Sequence, residues 1–240
     1  MIRSNRKWMF PGGKRKALTL SYDDGVLQDE RLIQLLRKHH LKGTFNINSG
    51  LLGKTGMHRG VDHSCLKPEK IREVYEGFEV AMHTCTHIKM GEVDDQTLLR
   101  EVQEDRNVLE KLVGYPIQGL AYPSGSYNLH VMEKLKEMNV NYARVTRETE
   151  SFFLPENLLE WAGTCRHTNP RWFSLTEQFL KPEAEGLLFL WGHSYEFDIC
   201  HNWEQMEEFC KMVANREDIW YASNAEVAAW IKECRWRELL

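Results

Sequence analysis

The chain has 240 residues, of which 42% are hydrophobic and 28% charged, and a net charge of -4. This length and balance predict a globular protein with one sizeable core or two small ones. The pI near 6.2 and the lack of a long basic block exclude a dedicated nucleic-acid binder. No apolar run approaches the ~20 residues that span a bilayer, and residues 1–13 lack a signal-peptide hydrophobic region. We therefore expect a soluble, cytoplasmic protein with no membrane partner.

Six cysteines lie at positions 65, 85, 165, 200, 210 and 234. No two of them have the two-residue spacing of a zinc ribbon or a redox motif, so free thiols in a reducing compartment are expected. The even number also fits a secreted protein, and the sequence does not decide between the two.

Short apolar, β-rich runs alternate with longer amphipathic runs, which is the pattern of βα units. The predicted strands are 17–22, 43–48, 78–82, 117–122, 140–143, 159–162, 187–191 and 219–222. The predicted helices are 29–39, 68–75, 94–113, 129–138, 171–180, 203–213 and 225–240. Helix 94–113 has the clearest pattern, because its apolar residues recur at helical spacing and Gly114 ends the run.

Strands joined by helices pair in parallel through right-handed crossovers. About seven such strands predict an α/β fold that closes as an irregular (β/α) barrel. The chain has no internal repeat and no Pro/Ser-rich linker, so we expect one domain over residues 1–240. Its least regular segment, residues 144–170, is either a substrate-facing loop or a poorly patterned crossover.

Polar side chains that could carry chemistry follow four of the predicted strands. In parallel α/β folds such residues lie at the carboxyl ends of the strands, which meet at one rim. The four segments are Ser21–Gly25, Met82–His87, Ala121–Gly125 and Leu190–His193. Each segment alone carries little weight, but together they predict a single site.

The first two segments contain a candidate set of metal ligands, Asp23 and Asp24 on one and His83 and His87 on the other. Two imidazoles and one carboxylate suit Zn²⁺ or another divalent first-row metal and leave positions open for water and substrate. The structural alternatives are hydrogen-bonded core histidines and, at the aspartates, a helix cap or an Asx turn with Gly25.

Two other classes of metalloenzyme use related ligands. The zincin protease motif requires Glu after the first histidine, and Thr84 stands there, so the general base of that class is missing. Non-haem iron oxygenases also use two histidines and a carboxylate, and the ligand set alone does not exclude them. The adjacent second aspartate favours hydrolysis, with one carboxylate on the metal and one acting as base.

These motifs resemble those of the polysaccharide deacetylase family, metal-dependent carbohydrate esterases with a distorted (β/α) barrel. Ser21-Tyr22-Asp23-Asp24-Gly25 is similar to the family's Thr-Phe-Asp-Asp-Gly, and His83-Thr84-Cys85-Thr86-His87 matches its His-Ser/Thr-x-x-His. The resemblance extends from about residue 18 to residue 193. It implies that Asp23 is the catalytic base and that Asp24, His83 and His87 bind the metal.

Further along the chain the agreement weakens. The third family motif is often Arg-x-Pro-Tyr-Gly, but Ala121 stands in place of the arginine that would orient the base, and Ser124 replaces the aromatic residue. The backbone N–H of Ser124 can still serve an oxyanion. His193, after an apolar strand, resembles the fifth motif, which implies a general acid; a core histidine is the alternative.

The fourth family motif, an aspartate with a tryptophan that tunes this histidine, has no clear counterpart. Glu160-Trp161 and Glu196 are the two options. Trp161, Trp191 and Tyr195 are either packing residues or a platform on which a sugar stacks. His167 has no assigned role.

The resemblance implies a hydrolase that removes an acyl group, acetyl in the first instance, from the nitrogen of an amino sugar or oligosaccharide, with zinc or another divalent metal. Two alternatives stay open. One is a hydrolase of another non-peptide C–N bond, in a ureide, imide or formamide, on a small cytosolic substrate. The other is a non-catalytic glycan-binding domain that retains the fold. The sequence does not indicate an oligomeric state.

Overall fold

The structure, a computed structural model, describes residues 9–238. Its strands are β1 (Lys16–Asp23), β2 (Thr44–Ile47), β3 (Met57–His58), β4 (Val61–Asp62), β5 (Glu79–Met82), β6 (Gly119–Ala121), β7 (Tyr142–Glu148), β8 (Trp161–Gly163), β9 (Cys165–Arg166), β10 (Gly186–Gly192) and β11 (Ile219–Tyr221). Its helices are α1 (Asp29–Lys38), α2 (Ile71–Val74), α3 (Asp95–Val113), α4 (Leu129–Glu137), α5 (Trp172–Leu180), α6 (Glu196–Ile199), α7 (Trp203–Val213) and α8 (Asn224–Glu238).

The main sheet has the strand order β8-β7-β6-β5-β2-β1-β10-β9, with β11 beside β1, and its pairs are parallel. The two ends of this order, β8 and β9, are neighbours in the chain, separated only by Thr164. The extended segment 161–166 therefore pairs first with β7 and then with β10, and it links the ends of the sheet. The predicted α/β fold, an irregular barrel of about seven parallel strands, is confirmed.

All eight residues of β1 are buried, as expected for the central strand of a sheet covered on both faces. Helix α3 begins after Asp94, whose side chain accepts a hydrogen bond from the N–H of Thr97, and ends at Gly114 in the left-handed conformation. These capping residues explain why the predicted bounds of this helix are nearly correct. Cys65, Cys85, Cys165, Cys200 and Cys210 carry unbridged thiols.

Most predicted elements lie within one or two residues of the observed ones, and the differences have physical reasons. Strand β7 begins and ends later than the predicted 140–143. Its second half contains the polar residues Arg144, Thr146 and Glu148, so an apolar pattern does not reveal where the strand ends. The antiparallel hairpin β3–β4 was not predicted, since each of its strands has only two residues. The predicted helix 68–75 is a 3-10 turn followed by α2. The end of predicted helix 225–240 lies outside the described residues.

Side chains from one face of the sheet pack against helices such as α1, α3 and α7, which contribute Leu32, Val102 and Met206. Those of the other face, such as Phe189 of β10, form a second cluster with α8, to which Val227 belongs. Within residues 9–238, no helix is both long and apolar enough to cross a membrane.

Candidate active site

A cavity of about 560 Å³ opens where the carboxyl ends of the parallel strands meet. Its wall includes every residue for which the sequence predicted a role: Asp23, Asp24, His83, His87, Ser124 and His193. The structure thus brings together residues that come from four separate strand ends. The cavity is also lined by residues that sequence reasoning gave no role: Leu51, His58, His63, Cys65, Tyr122, Thr146, Glu148 and Arg166.

Asp24, His83 and His87 present ligand atoms that all lie within 4.8 Å of one another. Asp24 Oδ1 is 3.6 Å from His83 Nε2 and 3.9 Å from His87 Nε2. His83 Nδ1 lies 2.8 Å from the carbonyl oxygen of Ala121. Because a carbonyl only accepts, Nδ1 carries the hydrogen and Nε2 presents its lone pair to the cluster.

The protonation state of His83 suits a metal ligand. Burial lowers its pKa to about 4, so the imidazole is neutral at physiological pH. Burial by itself raises the pKa of Asp24, but the contact with His63 and then the charge of His193 outweigh burial, so the pKa lies below its usual range. One carboxylate and two imidazoles fit a divalent first-row metal and leave coordination positions open.

The loop that carries the two histidines is held from below by α3. The Asp105 carboxylate accepts hydrogen bonds from the backbone N–H of His83, at 3.0 Å, and from that of Ser49, at 2.8 Å. One turn earlier, Glu101 accepts from both the N–H and the hydroxyl of Thr86. The sequence predicted this helix, but not that two of its acidic residues face inward and fix the loop.

Three residues of these loops adopt left-handed backbone conformations that non-glycine residues seldom take. They are Asp24 (φ 81°), Thr84 (φ 59°) and His87 (φ 59°). Such conformations cost free energy and persist where the surroundings hold them, as the carboxylates of α3 hold this loop. Ser124 (φ 54°) shares the feature on the opposite wall of the cavity.

Asp23 is paired with a wholly buried arginine that the sequence did not reveal. Its Oδ2 forms an ion pair with Arg144 Nη2, and its Oδ1 accepts from Asn46 Nδ2 at 2.8 Å. Burial raises the pKa of Asp23, but the Arg144 charge and then the nearby histidines outweigh this effect, so the pKa is lowered overall. Asp23 is therefore an oriented, ionised carboxylate.

Arg144 replaces the arginine expected at the position of Ala121. The two residues are register partners on neighbouring parallel strands, Ala121 on β6 and Arg144 on β7. The guanidinium also lies over Trp191, with Cζ 4.4 Å from the ring centroid. The charge missing from the third motif thus reaches Asp23 from the next strand.

His193 lies between the base and a carboxylate of α6. Its Nε2 is 3.7 Å from Asp23 Oδ2, and its Nδ1 is 3.3 Å from Glu196 Oε2 and 2.9 Å from Arg166 Nη2. Burial lowers the pKa of His193, but the Glu196 hydrogen bond and the nearby aspartates raise it above its usual value overall.

Of the two residues considered for the fourth motif, Glu196 is the one that contacts His193. Its Oε2 also lies 3.4 Å from His167 Nε2. Glu160 instead accepts from Tyr127, 2.9 Å away. Trp161 packs against core residues such as Phe189. Of the two roles considered for this side chain, packing and sugar stacking, it therefore has the packing role. Trp191 and Tyr195 line the cavity.

Comparisons with known proteins point to one family. A family model described as polysaccharide deacetylase matches residues 11–143, more than half of the chain. No curated protein matches the sequence.

Similar solved structures are known from several bacteria. A Mycobacterium smegmatis protein assigned to the polysaccharide deacetylases has a TM-score of 0.71 at 19% identity, covering 95% of this chain and 94% of that one. Peptidoglycan deacetylase PdaC from Bacillus subtilis has a TM-score of 0.58 at 16% identity, covering 94% and 96%. Streptococcus pyogenes deacetylase PplD, in complex with acetate, has a TM-score of 0.51 at 21% identity, and the match covers 59% of this chain and 61% of PplD. At these identities the likeness shows a shared fold.

Proposed function

Because the chain belongs to the polysaccharide deacetylase family, we propose that it is a metal-dependent enzyme that hydrolyses the N-acetyl group of an amino sugar or a short oligosaccharide. The observation that carries the proposal is the convergence, in one cavity, of an arginine-paired aspartate, an Asp/His/His cluster and a carboxylate-paired histidine.

Asp24, His83 and His87 would hold the metal, and the ligand set favours zinc. When bound there, a divalent metal would supply a Lewis acid for the amide carbonyl and lower the pKa of a water toward ~7. The cluster lies next to Asp23, so the same cavity has room for both a water and an amide group.

Asp23 is the general base of the proposed reaction. Arg144 and Asn46 fix the direction of its carboxylate and keep it ionised, so that it accepts a proton as the water oxygen bonds to the acyl carbon. The Ser124 N–H, on the cavity wall, is the candidate donor for the oxygen that becomes negative.

His193 is the general acid. An amine leaves only if its nitrogen is protonated as the C–N bond breaks, and Glu196 favours the protonated imidazole that supplies this proton. The products are a carboxylic acid and a free amino sugar. Neither a serine nor a cysteine nucleophile is needed.

The acetyl group is preferred because of the family and because PplD is known in complex with acetate. PdaC is a peptidoglycan deacetylase. A volume of about 560 Å³ lies in the range of small-molecule sites. This size favours a short oligosaccharide over a wall polymer.

The test is release of acetate from N-acetylated chitooligosaccharides by the zinc-loaded protein, measured with its metal content. Asp24→Ala, His83→Ala and His87→Ala should each lower metal content and acetate release together, since each removes one of three ligands. A zinc-loaded protein that releases no acetate but hydrolyses ureides, imides or formamides would identify the alternative activity. Sugar binding without any hydrolysis would indicate a glycan-binding domain.

A further inference from the structure

A third histidine, His63, lies close to Asp24, the carboxylate of the candidate metal site. It faces the oxygen of Asp24 that His83 and His87 do not face. Its Nε2 is 3.6 Å from Asp24 Oδ2, whereas the other two imidazoles face Oδ1. The two oxygens of Asp24 thus have different partners. None of the family-like motifs includes His63, which follows the hairpin β3–β4.

The position of His63 is fixed by backbone pairing with the residues that follow Asp24. Leu27 N–H donates to the carbonyl of Ser64 and Leu66 N–H to that of Gly25, both at 2.9 Å. His63 therefore lies within a pairing that holds the hairpin segment against the end of β1. The edge-on contact with Tyr195, at 4.5 Å between ring centroids, further restricts the imidazole.

We propose that His63 is a positioning residue for the metal site: its Nε2, 3.6 Å from Asp24 Oδ2, makes a polar contact with that oxygen and thereby directs Oδ1 toward the two ligand imidazoles. The inference rests on the proposed metal site. With Oδ2 facing His63, Asp24 would offer Oδ1 alone to a metal, which would leave a coordination position for water or substrate.

The geometry distinguishes this role from direct ligation. In the part of the chain that the structure describes, only Asp24, His83 and His87 form a cluster whose ligand atoms all lie within 4.8 Å of one another. His63 falls outside this cluster and reaches it only through Oδ2 of Asp24. Groups that orient a metal ligand in this way typically contribute 10–100-fold to metal affinity.

The experiment compares zinc affinity, by competition with a chromophoric chelator, in the parent protein, His63→Ala, His63→Gln and His130→Ala. His130 lies outside the cavity, with 55% of its side chain exposed, so its variant controls for the loss of a surface imidazole. We expect His63→Ala to weaken zinc binding about 10–100-fold. His63→Gln should restore most of the affinity, because its amide N–H replaces the polar hydrogen of the imidazole, and His130→Ala should bind zinc like the parent.

Visible spectra of the cobalt-substituted proteins provide a second readout. The same coordination number in His63→Ala and in the parent agrees with positioning, and a lower number in the variant would make His63 a ligand and overturn the proposal. Parent-like zinc affinity in His63→Ala, or equal losses in His63→Ala and His63→Gln, would also overturn it. So would a parent that binds no zinc. If zinc affinities follow the expected order but no acetate is released, only the proposed function fails.

Discussion

The buried pair between Arg144 and Asp23 gives the sharpest test of the site, because both stability and catalysis depend on it. Arg144→Met keeps the apolar stem of the side chain but removes the guanidinium charge that balances Asp23. Removing one partner of a buried ion pair leaves an uncompensated charge and costs about 3–5 kcal/mol. Both side chains are almost fully buried, so solvent does not screen this effect.

The loss of stability in Arg144→Met should depend on pH. In the parent the pKa of Asp23 is lowered, so the pair stabilises the fold above the usual carboxyl pKa, and the contribution disappears as the pH falls through the folded-state pKa. In Arg144→Met, burial, the largest influence, raises the pKa of Asp23. Protonation then relieves the buried charge at low pH. The variant should therefore be most destabilised near pH 8 and less so near pH 5.

Chemical denaturation at the two pH values measures the free energy of unfolding. Arg147→Met is the matched control, since Arg147 lies on the same strand with 60% of its side chain exposed, and it should stay close to the parent. Adding Asp23→Asn to Arg144→Met should recover part of the stability, because the amide carries no charge. A loss below about 1 kcal/mol at pH 8, no dependence on pH, or no recovery in the double variant would refute the argument.

Three further changes test the catalytic assignments and the packing beneath them. Asp23→Asn should retain zinc but lower acetate release about 10²–10⁴-fold, since the amide cannot accept a proton; loss of zinc instead would exchange the roles of the aspartates. Glu196→Gln should lower the pKa of His193, so the basic limb of the kcat–pH profile, where the acid deprotonates, should shift to lower pH; an unmoved limb contradicts this. Gly192→Ala should lower stability by about 1–3 kcal/mol in thermal denaturation, because its Cβ would lie 2.2 Å from the buried His167 ring; a parent-like melting temperature would show that the ring yields.

Linear motifs predicted that five residues from separate strand ends would meet in one cavity, and the structure brings them together there. Asp23, Asp24, His83, His87 and His193 each follow an apolar strand, and parallel strands end at a common rim, so their convergence follows from local sequence and topology. The sheet itself was predictable for the same reason, since its buried strands are continuous apolar runs.

The supporting residues could not be predicted in this way. Arg144 reaches Asp23 because β7 pairs with β6 in a register that places Arg144 beside Ala121. The sequence of one strand alone does not determine its register with another strand. Arg166 lies on the two-residue strand β9, inside the segment with no clear pattern. His63 follows a hairpin too short to give a periodic signal. The residues at the strand ends are thus easier to predict from the sequence than the residues that hold them in place.

The surroundings of the two adjacent aspartates explain how they can have different roles. Two neighbouring carboxylates in a buried site repel each other, and the pKa of one rises unless each has its own positive partner. Asp23 has the permanently charged guanidinium of Arg144, whereas Asp24 faces the imidazoles of His63, His83 and His87, whose nitrogens lie 3.6–3.9 Å from its oxygens. A guanidinium cannot be displaced by deprotonation, so Asp23 stays ionised whether or not a metal is present. The partner of Asp23 is thus a fixed cation, whereas the partners of Asp24 are imidazoles, which can share a metal with it. This difference supports the proposal that Asp23 accepts the proton and Asp24 holds the metal.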